Sequence, residues 1–466
     1  MQQQIESTDR DYAGVIASHL EEAALAMIPQ ATIARAKERV LDSIGNILAG
    51  VDATGNAAAR SVFASYGGSA ESTVIGTGTA LPAPHAAMLN ALSMRSYDFE
   101  AVGAEAGDAN MVAAHISGTT VPVALAASER ADASGAQFLE ALVLGDDLAS
   151  RLAVASGFHT ASGGDNTGTV NVMGGAAIVG KLAGFGAQQY RDALGHALNQ
   201  MSGTVQNLFD KASSFKLPQA MAARNAVVSA DLAAAGFSGV HDALTSSFGF
   251  FTLFSPDPHP ERMLEDLGRS YFGDMIIKPW ASCRAAHPAL DAVIRLKHAH
   301  RLEARDIEAV EIHVTPTTKR GFTGQEFAAA PGSEVDGLFS IPYNVAVGLL
   351  EGTVRPEHLS AAYMARAEVR DLLDRVTLVD SLSPHEYQTA EAVVRTRSGE
   401  TFRTRVEAVL GDLHRNPLTR DQVAEKFFLN VEFGGRISTA DARRVQDAVD
   451  HLEDLDSMRA LVALIA

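Results

Sequence analysis

Residues 207–239 read NLFDKASSFKLPQAMAARNAVVSADLAAAGFSG. From Ala220 to Ala235 almost no side chain is larger than valine or leucine, apart from Met221 and Arg224. Small side chains let other helices approach closely on most sides, so this stretch predicts a central, buried helix. Pro218 favours a helix start at this point.

Lys216 lies directly before this predicted helix. The N-terminus of a helix carries partial positive charge and favours anions, so the helix dipole does not explain a lysine there. Two interpretations stay open. Lys216 is either a functional cation beside the buried helix, or a surface lysine with a packed stem and a solvated head group.

The composition describes an ordinary soluble globular protein. The chain has 466 residues, of which 47% are hydrophobic and 20% charged, and this length predicts two or three domains. Aromatic residues make up only 6%, while glycine and alanine are abundant. This mixture favours tightly packed helices over large β-sandwiches.

The charge balance excludes several classes of partner. With 38 Lys and Arg against 56 Asp and Glu, the formal net charge is -18, which argues against nucleic acid or an anionic membrane. An anionic substrate would need a local cationic pocket. The single cysteine, Cys283, excludes an intrachain disulfide and a multi-cysteine metal site. We see no secretory leader pattern and no apolar stretch of membrane length, and we expect a cytoplasmic protein.

Hydrophobic periodicity separates a helical part from a mixed part. The helical pattern covers residues 12–24, 31–49, 83–95, 121–130, 135–155, 172–182, 190–198 and 220–235, and it returns after Pro417. Residues 307–314 alternate between apolar and polar, which predicts a half-buried strand. Residues 392–397 and 402–408 also alternate, and Ser398-Gly399-Glu400 between them indicates a β-hairpin.

These patterns predict a mainly α fold with an α+β second domain. We expect a large helical domain built from both chain ends, residues 1–269 and 413–466. A smaller α+β domain, residues 270–412, would be inserted as a lid.

No familiar cofactor motif is present. The sequence contains neither GxxxxGK[ST] nor HExxH, and GTGTAL at 76–81 is followed by Pro82 rather than completing GxGxxG. We expect no cofactor and no metal.

Several polar residues lie beside the small-residue helices. They are Asp98, His115, His159, Lys216, Lys278, Cys283, His287 and Tyr343. Each alone has a structural explanation: a histidine with satisfied hydrogen bonds, an aspartate that caps a helix, a packed tyrosine or a buried thiol. Only the set as a whole favours function.

The order and spacing of the blocks that hold these residues resemble the MmgE/PrpD family, which contains 2-methylcitrate dehydratase, cis-aconitate decarboxylase and iminodisuccinate epimerase. The resemblance runs over nearly the whole chain. Its blocks are AKERVLDSIGNILAG at 36–50, MRSYDFE, HISGTTVPVALAASE, SGAQFLEALVLGDDLASRLA at 134–153, GFHT at 157–160, residues 207–239, KPWASCRAAHPALDA and FSIPYNVAVGLLEG.

The resemblance implies a cofactor-free homodimeric enzyme with its active site between a helical domain and an α+β lid. The substrate would be a small anionic polycarboxylate. Carried over residue by residue, the catalytic candidates are Asp98, His115, His159, Lys216 and Tyr343. The resemblance also makes Lys278, Cys283 and His287 substrate-binding candidates. Arg95 and Arg284 are further substrate-binding candidates, as cations for several carboxylates in a strongly negative protein.

One departure from the family pattern bears on the reaction. Family dehydratases and decarboxylases usually carry Asp-Phe-Asp-Asp-Thr, whereas Asp98 begins Asp-Phe-Glu-Ala-Val here. A dehydratase must help hydroxide to leave, and two of three polar groups suited to that task are gone. We therefore favour an epimerase that removes and returns a proton at the α-carbon of a polycarboxylate such as iminodisuccinate. A dehydratase or decarboxylase and a non-catalytic binding protein on the same fold are the alternatives.

Overall fold

The computed structural model describes residues 10–105, 111–159, 162–327 and 334–466. Helices dominate both ends of the chain. The helices before residue 260 are α1 (Tyr12–Glu22), α2 (Gln30–Gly50), α3 (Asn56–Ser65), α4 (Ala83–Arg95), α5 (Ile116–Ala131), α6 (Gly135–Ala155), α7 (Val170–Leu182), α8 (Ala187–Leu198), α9 (Gln206–Phe209), α10 (Leu217–Ala234) and α11 (Phe250–Phe254). The later helices are α12 (His287–His300), α13 (Pro316–Arg320), α14 (Glu334–Leu338), α15 (Ile341–Glu351), α16 (Ala361–Met364), α17 (Ala367–Leu373), α18 (Arg420–Gly434), α19 (Thr439–Asp450) and α20 (Arg459–Val462).

Short strands accompany these helices. They are β1 (Ser72–Val74), β2 (Thr79–Leu81), β3 (Val102–Ala104), β4 (Asp274–Ile276), β5 (Ile307–Val314), β6 (Val376–Asp380), β7 (Ala390–Thr396) and β8 (Thr401–Val406). β1 pairs with β2 and β3 with β4, each antiparallel, while the other strands form one sheet in the order β6-β5-β7-β8. The fold is therefore helical with a small mixed sheet.

The small-residue helix α10 packs at the centre of the first hydrophobic core. It contacts α4, α5, α7 and α8, and a Cβ added at Gly175 of α7 would lie 2.6 Å from the Ala226 Cβ of α10. Only glycine opposite alanine permits this approach, because interiors are packed without spare volume. The buried helix predicted from residues 220–235 is confirmed, although Leu217 and Leu232 on one of its sides are exposed.

The mixed sheet belongs to a second hydrophobic core. β5 pairs in parallel with β6 and antiparallel with β7, and α12 and α15 pack against the same core. The predicted strand at 307–314 and the predicted hairpin are confirmed, since β7 and β8 pair from Ala390↔Val406 to Arg395↔Thr401. β6 was not predicted, because this short edge strand is only partly buried and has no clean alternation.

The two cores meet along the segments that hold the candidate site. The first core is built from residues 12–271 and 427–465, and the second from residues 280–409 together with Phe99 and Phe215. These two phenylalanines are chain neighbours of Asp98 and Lys216. The domain boundaries at 269/270 and 412/413 stay a prediction.

The segment after Asp98 contains a short strand. Residues 102–104 form β3, whose Val102 pairs with Ile276 of β4, while residues 106–110 lie outside the described part. Helix α3 is a further element that the sequence patterns did not predict. Within the described ranges, no helix is both long enough and apolar enough to cross a bilayer.

Candidate active site

A tight turn after α4 places two carboxylates beside one arginine. The Asp98 N–H donates to the Arg95 carbonyl at 3.0 Å, and Asp98 has a φ of 45°. This left-handed conformation is unfavourable for most residues, but aspartate tolerates it. The turn directs the side chains of Asp98 and Glu100 back towards the Arg95 guanidinium.

We define the charged cluster as Arg95, Asp98, Glu100, His115 and Lys278. Arg95 Nη1 donates to Asp98 Oδ1 and, at 2.9 Å, to Glu100 Oε1. Lys278 Nζ donates to Asp98 Oδ1 at 2.8 Å and to the Asp98 carbonyl at 2.6 Å. His115 Nδ1 lies 2.8 Å from Glu100 Oε1, and His115 Nε2 lies 3.9 Å from Asp98 Oδ1. Residues 183 positions apart in the sequence therefore meet at one point.

Because Glu100 and Arg95 are buried, their charged partners decide whether each of them is ionised. Burial alone raises the pKa of Glu100, but Arg95 and His115 lower it more, so the pKa of Glu100 lies well below its usual range. For Arg95, burial lowers the pKa, while Asp98 and Glu100 outweigh this and raise it above its ordinary value. The arginine and Glu100 therefore stay charged at neutral pH, and each needs the other.

Two side chains, those of Asp274 and Asn171, fix the backbone around His115, which is the N-cap residue of α5. Asp274 of β4 accepts from the first two amides of the helix, Ile116 N–H at 3.1 Å and Ser117 N–H at 2.7 Å. Asn171 of α7 donates to the His115 carbonyl at 2.7 Å. A carboxylate at a helix N-terminus is stabilising, so the imidazole is presented from a rigid position.

Lys216 is buried, with 1% of its surface exposed. Its Nζ donates to the Thr54 carbonyl at 2.8 Å and to Asn56 Oδ1 at 3.2 Å, and it lies 3.7 Å from Glu334 Oε1. Burial lowers the pKa of Lys216, partly offset by Glu334. The surface-lysine interpretation is wrong, because the ammonium group does not reach solvent.

Lys216 and the charged cluster adjoin each other. The Arg95 guanidinium lies over the ring of Phe215, 5.3 Å from its centroid, and Phe215 directly precedes Lys216. Asn56, which binds Lys216, also donates to Ser96 Oγ at 2.9 Å, one residue after Arg95. Helix α3, absent from the sequence prediction, thus begins with the residue that joins Lys216 to the turn after α4.

Lys426 of α18 supports the Asp98–Glu100 turn from the other side. Its Nζ donates to the Phe99 carbonyl at 2.7 Å, pairs with Asp42 Oδ1 at 2.6 Å, and lies 3.8 Å above the Phe99 ring centroid. Nothing in the sequence singled out Lys426 or Asp42, because they are distant from each other and lie in ordinary helical patterns.

The remaining predicted residues are less closely connected to the cluster. The thiol of Cys283 lies within electrostatic range of Asp98 and Lys278, and burial raises its pKa to about 11, so it is neutral. His159 is exposed, and in the part of the chain that the structure covers, no hydrogen bond or ion pair joins it to the cluster. Its proposed catalytic role stays a prediction.

Three predicted residues lie in the second core or behind the cluster. The Tyr343 hydroxyl donates to the His358 carbonyl, and its ring stacks on Phe327 with 4.8 Å between centroids. Burial lowers the pKa of Arg284 to about 10, and the opposite charges acting on it come from Asp412 and Asp291. His287 Nε2 lies 3.2 Å from the Ser282 carbonyl. The structure brings none of the three into contact with the charged cluster among the described residues.

The departure at Val102 also has a structural explanation. Its side chain is buried in a small apolar cluster with Met275 and Ile276, so this residue packs β3 against β4. Glu100, in contrast, contributes directly to the cluster. The sequence signal for Glu100 was the altered Asp-Phe-Glu segment, in which the second acid of the family pattern is lengthened from aspartate to glutamate.

The oxygen and nitrogen atoms of Asp98, Glu100 and His115 lie within 4.8 Å of one another, a spacing compatible with a metal ion. The same carboxylate oxygens already accept hydrogen bonds from Arg95 and Lys278. A dication at this place would be repelled by these two cations at close range, or would have to displace them. The cluster is therefore better suited to ion pairs between side chains than to a metal ion.

A cavity of about 500 Å³ adjoins the cluster between α18 and the segment around Arg355. Phe99, Trp280 and Lys426 line it, but Asp98, Glu100 and His115 do not. We therefore take the charged cluster, and not the cavity, as the candidate active site. The cavity lies on the Phe99 side of the turn.

Family models match both parts of the chain. The MmgE/PrpD N-terminal domain matches residues 14–263 and the MmgE/PrpD C-terminal domain matches residues 280–454. The chain belongs to the MmgE/PrpD family. The resemblance drawn from the sequence blocks is therefore confirmed, and the two matches divide the chain close to the meeting of the two cores.

Relatives match this MmgE/PrpD chain over almost its full length. Cis-aconitate decarboxylase of Mus musculus is 26% identical, covering 93% of this chain and 89% of the relative, and that of Homo sapiens is 24% identical, covering 93% and 90%. A cis-aconitate decarboxylase-like protein, oryM, of Aspergillus oryzae (strain ATCC 42149 / RIB 40) is 25% identical, covering 94% of both. These similarities favour the lyase alternative and give no support to the epimerase that sequence analysis preferred.

His287 provides a prediction about stability rather than catalysis. Burial, together with Arg284 and Lys278, lowers its pKa well below 6.5, so it stays neutral in the folded protein and takes up a proton on unfolding. Its contribution is complete above pH 6.5 and is lost as the pH falls, by at most about 1.4 kcal/mol per pH unit. In urea unfolding between pH 7.5 and 5, the free energy of unfolding of His287→Gln should fall less steeply with falling pH than that of the wild type.

His298→Gln, at an exposed position of the same helix, is the matched control and should keep the wild-type slope. An unchanged slope in His287→Gln, accompanied by a raised KM, would instead favour the substrate-binding role expected from the sequence.

Proposed function

We propose that this MmgE/PrpD protein is a cofactor-independent lyase that decarboxylates an unsaturated polycarboxylate of the cis-aconitate type. The observation that carries the proposal is the buried charged cluster beside Lys216, at the meeting of the two cores. The full-length similarity to cis-aconitate decarboxylases supports the choice of substrate. The expected homodimer and cytoplasmic location stay predictions.

Decarboxylation needs groups that this cluster contains. When the bond from carbon to the departing carboxylate breaks, its electron pair moves into the carbon skeleton, and a proton must be delivered to carbon as carbon dioxide leaves. Lys216 and His115 are candidates for the proton donor, since both exchange protons near neutral pH when suitably placed. Burial lowers the pKa of Lys216, which makes its ammonium a better acid.

The charges in the cluster suit a substrate with several carboxylates. Arg95 and Lys278 neutralise Asp98 and Glu100, so these four charges balance. Among the described residues, the carboxylate paired with Lys216 is Glu334, at 3.7 Å, and the hydrogen bonds of Lys216 go to uncharged oxygens. Lys216 is therefore more available for a substrate carboxylate than Arg95 or Lys278, in a protein of net charge -18.

The test is a product assay with three substrates. Purified protein treated with a chelator is incubated with cis-aconitate, 2-methylcitrate or iminodisuccinate in heavy water, and products are followed by NMR. We expect one carbon dioxide per unsaturated dicarboxylate from cis-aconitate, with deuterium at the newly protonated carbon.

The other outcomes identify the alternatives. Inversion of iminodisuccinate with deuterium at the inverted carbon, and no carbon dioxide from cis-aconitate, would establish the epimerase. Formation of an alkene from 2-methylcitrate alone would establish a dehydratase. Binding of all three compounds without turnover would support a non-catalytic protein.

A further inference from the structure

We propose that Glu100 fixes the tautomer of His115, holding a proton on Nδ1 so that only Nε2 exchanges a proton with the substrate. Glu100 is thus a positioning residue that acts through His115. The proposal rests on the proposed acid–base function of the cluster, although the tautomer itself can be measured without turnover.

The geometry of the pair supports a donor at Nδ1. Glu100 Oε1 lies 2.8 Å from His115 Nδ1, a normal length for an N–H donating to a carboxylate. Because an ionised carboxylate can only accept, Nδ1 must carry the proton. Arg95 Nη1 also lies 3.5 Å from Nδ1, and because arginine only donates, a hydrogen bond there would require an unprotonated Nδ1. That distance is beyond the usual hydrogen-bond range, whereas Arg95 Nη1 lies 2.9 Å from Glu100 Oε1.

Nε2 is the nitrogen that faces the site. It is 3.9 Å from Asp98 Oδ1, too far for a hydrogen bond, and the His115 side chain is 14% exposed while the Asp98 and Glu100 side chains are at most 1% exposed. Among the members of the charged cluster, His115 therefore has the greatest access to a small molecule. With Nδ1 engaged, the proton that moves is the one on Nε2.

The surrounding charges explain why His115 needs the Glu100 carboxylate beside it. His115 caps the N-terminus of α5, where the partial positive charge opposes an imidazolium. The charged groups that face it are carboxylates from Asp98, Glu100 and Asp274, and cations from Arg95 and Lys278. Glu100 is the carboxylate in direct contact with the ring, and Arg95 keeps it ionised.

The length of the glutamate matters. A Glu100→Asp change shortens the side chain by one methylene, about 1.5 Å, and moves the carboxylate out of hydrogen-bond range of Nδ1. A Glu100→Gln change keeps the length and removes the charge. Arg95 and His115 both contact Oε1, so an amide oxygen at this place keeps both contacts but is only a neutral, weaker acceptor, while the NH2 group takes the place of Oε2, which has no hydrogen-bond partner among the described residues.

The experiment is ¹⁵N NMR of the full-length protein carrying ¹⁵N-labelled histidine, with His115 identified by the signal lost in His115→Gln. We expect the wild-type spectrum at high pH to show Nδ1 protonated and Nε2 unprotonated. In Glu100→Gln we expect a mixture of both tautomers. Glu105→Gln is the matched control, because Glu105 forms the other close glutamate–histidine pair, with His414 at 2.6 Å, and should leave the His115 signals unchanged.

Activity gives a second, independent readout. Removing the carboxylate makes protonation of the ring harder, so the limb of the kcat/KM profile that belongs to His115 should move to lower pH by about one unit in Glu100→Gln. Glu100→Asp, which retains the charge, should shift less. A merely structural role would lower kcat without moving the limb.

The proposal is overturned if wild-type His115 carries its proton on Nε2, or if Glu100→Gln leaves both the tautomer and the pH profile unchanged. Absence of decarboxylation would refute the proposed function while leaving the NMR result intact, so the two failures are distinguishable. If Glu100→Gln does not fold, the wild-type spectrum alone decides.

Discussion

Lys216→Met is expected to lower kcat/KM for cis-aconitate by about 10²–10³-fold, the usual loss when a preorganised charge at a reacting centre is removed. Methionine matches the apolar stem of lysine and fits the same buried space. The substitution removes a cation whose two hydrogen bonds go to uncharged oxygens and leaves the charged cluster intact.

The stability of Lys216→Met should change little. The Thr54 carbonyl and Asn56 Oδ1 lose a donor, which costs stability, but the protein no longer buries an ammonium group. We expect a change of less than about 2 kcal/mol in the free energy of unfolding. Lys319→Met, at a half-exposed lysine paired with Asp380, is the control and should keep full activity. Full activity in Lys216→Met, or a collapse in stability, would show that Lys216 is structural.

Lys278→Met is expected to reduce the free energy of unfolding by about 3–5 kcal/mol, because it removes one partner of a fully buried ion pair. Asp98 would lose two hydrogen bonds from Lys278 and keep Arg95, which it already shares with Glu100, as its cationic partner.

The double variant Lys278→Met/Asp98→Asn separates stability from activity. It removes both charges, so we expect it to recover at least half of the lost stability in urea unfolding while remaining inactive. Additive losses in the double variant would mean that the two side chains do not act as a pair.

The sequence predicted the fold wherever a pattern continued over many residues. α10, β5 and the β7–β8 hairpin were all found because small-residue or alternating stretches are local signals. α3 and β6 were missed, since one is a short surface helix and the other a short edge strand whose partner lies 66 residues earlier, at Val310↔Val376. Register between distant strands leaves no trace in a single segment.

The candidate site was predictable in its members but not in its partners. Lys216, Lys278 and Asp98 were identified from family blocks, which record residue types and not contacts. Glu100 was recognised only as a lengthened second acid of the family pattern, because only the folded turn shows that its longer side chain reaches both Arg95 and His115. Lys426 and Asp42 had no sequence signal, since their pairing depends on how α18 packs against α2.

Phe99 and Phe215 limit how this protein can be recombined. Each belongs to the second core, while α4 and α5, on either side of Phe99, and α8 and α10, on either side of Phe215, contribute to the first. A chimera that exchanges residues 280–409 with those of a relative would confront these two rings with foreign packing and displace the Asp98 turn and Lys216 beside them. We expect functional exchange only when residues 97–100 and 213–217 are transplanted together with the second core. The residues that must be exchanged together are therefore encoded in separate stretches of the gene.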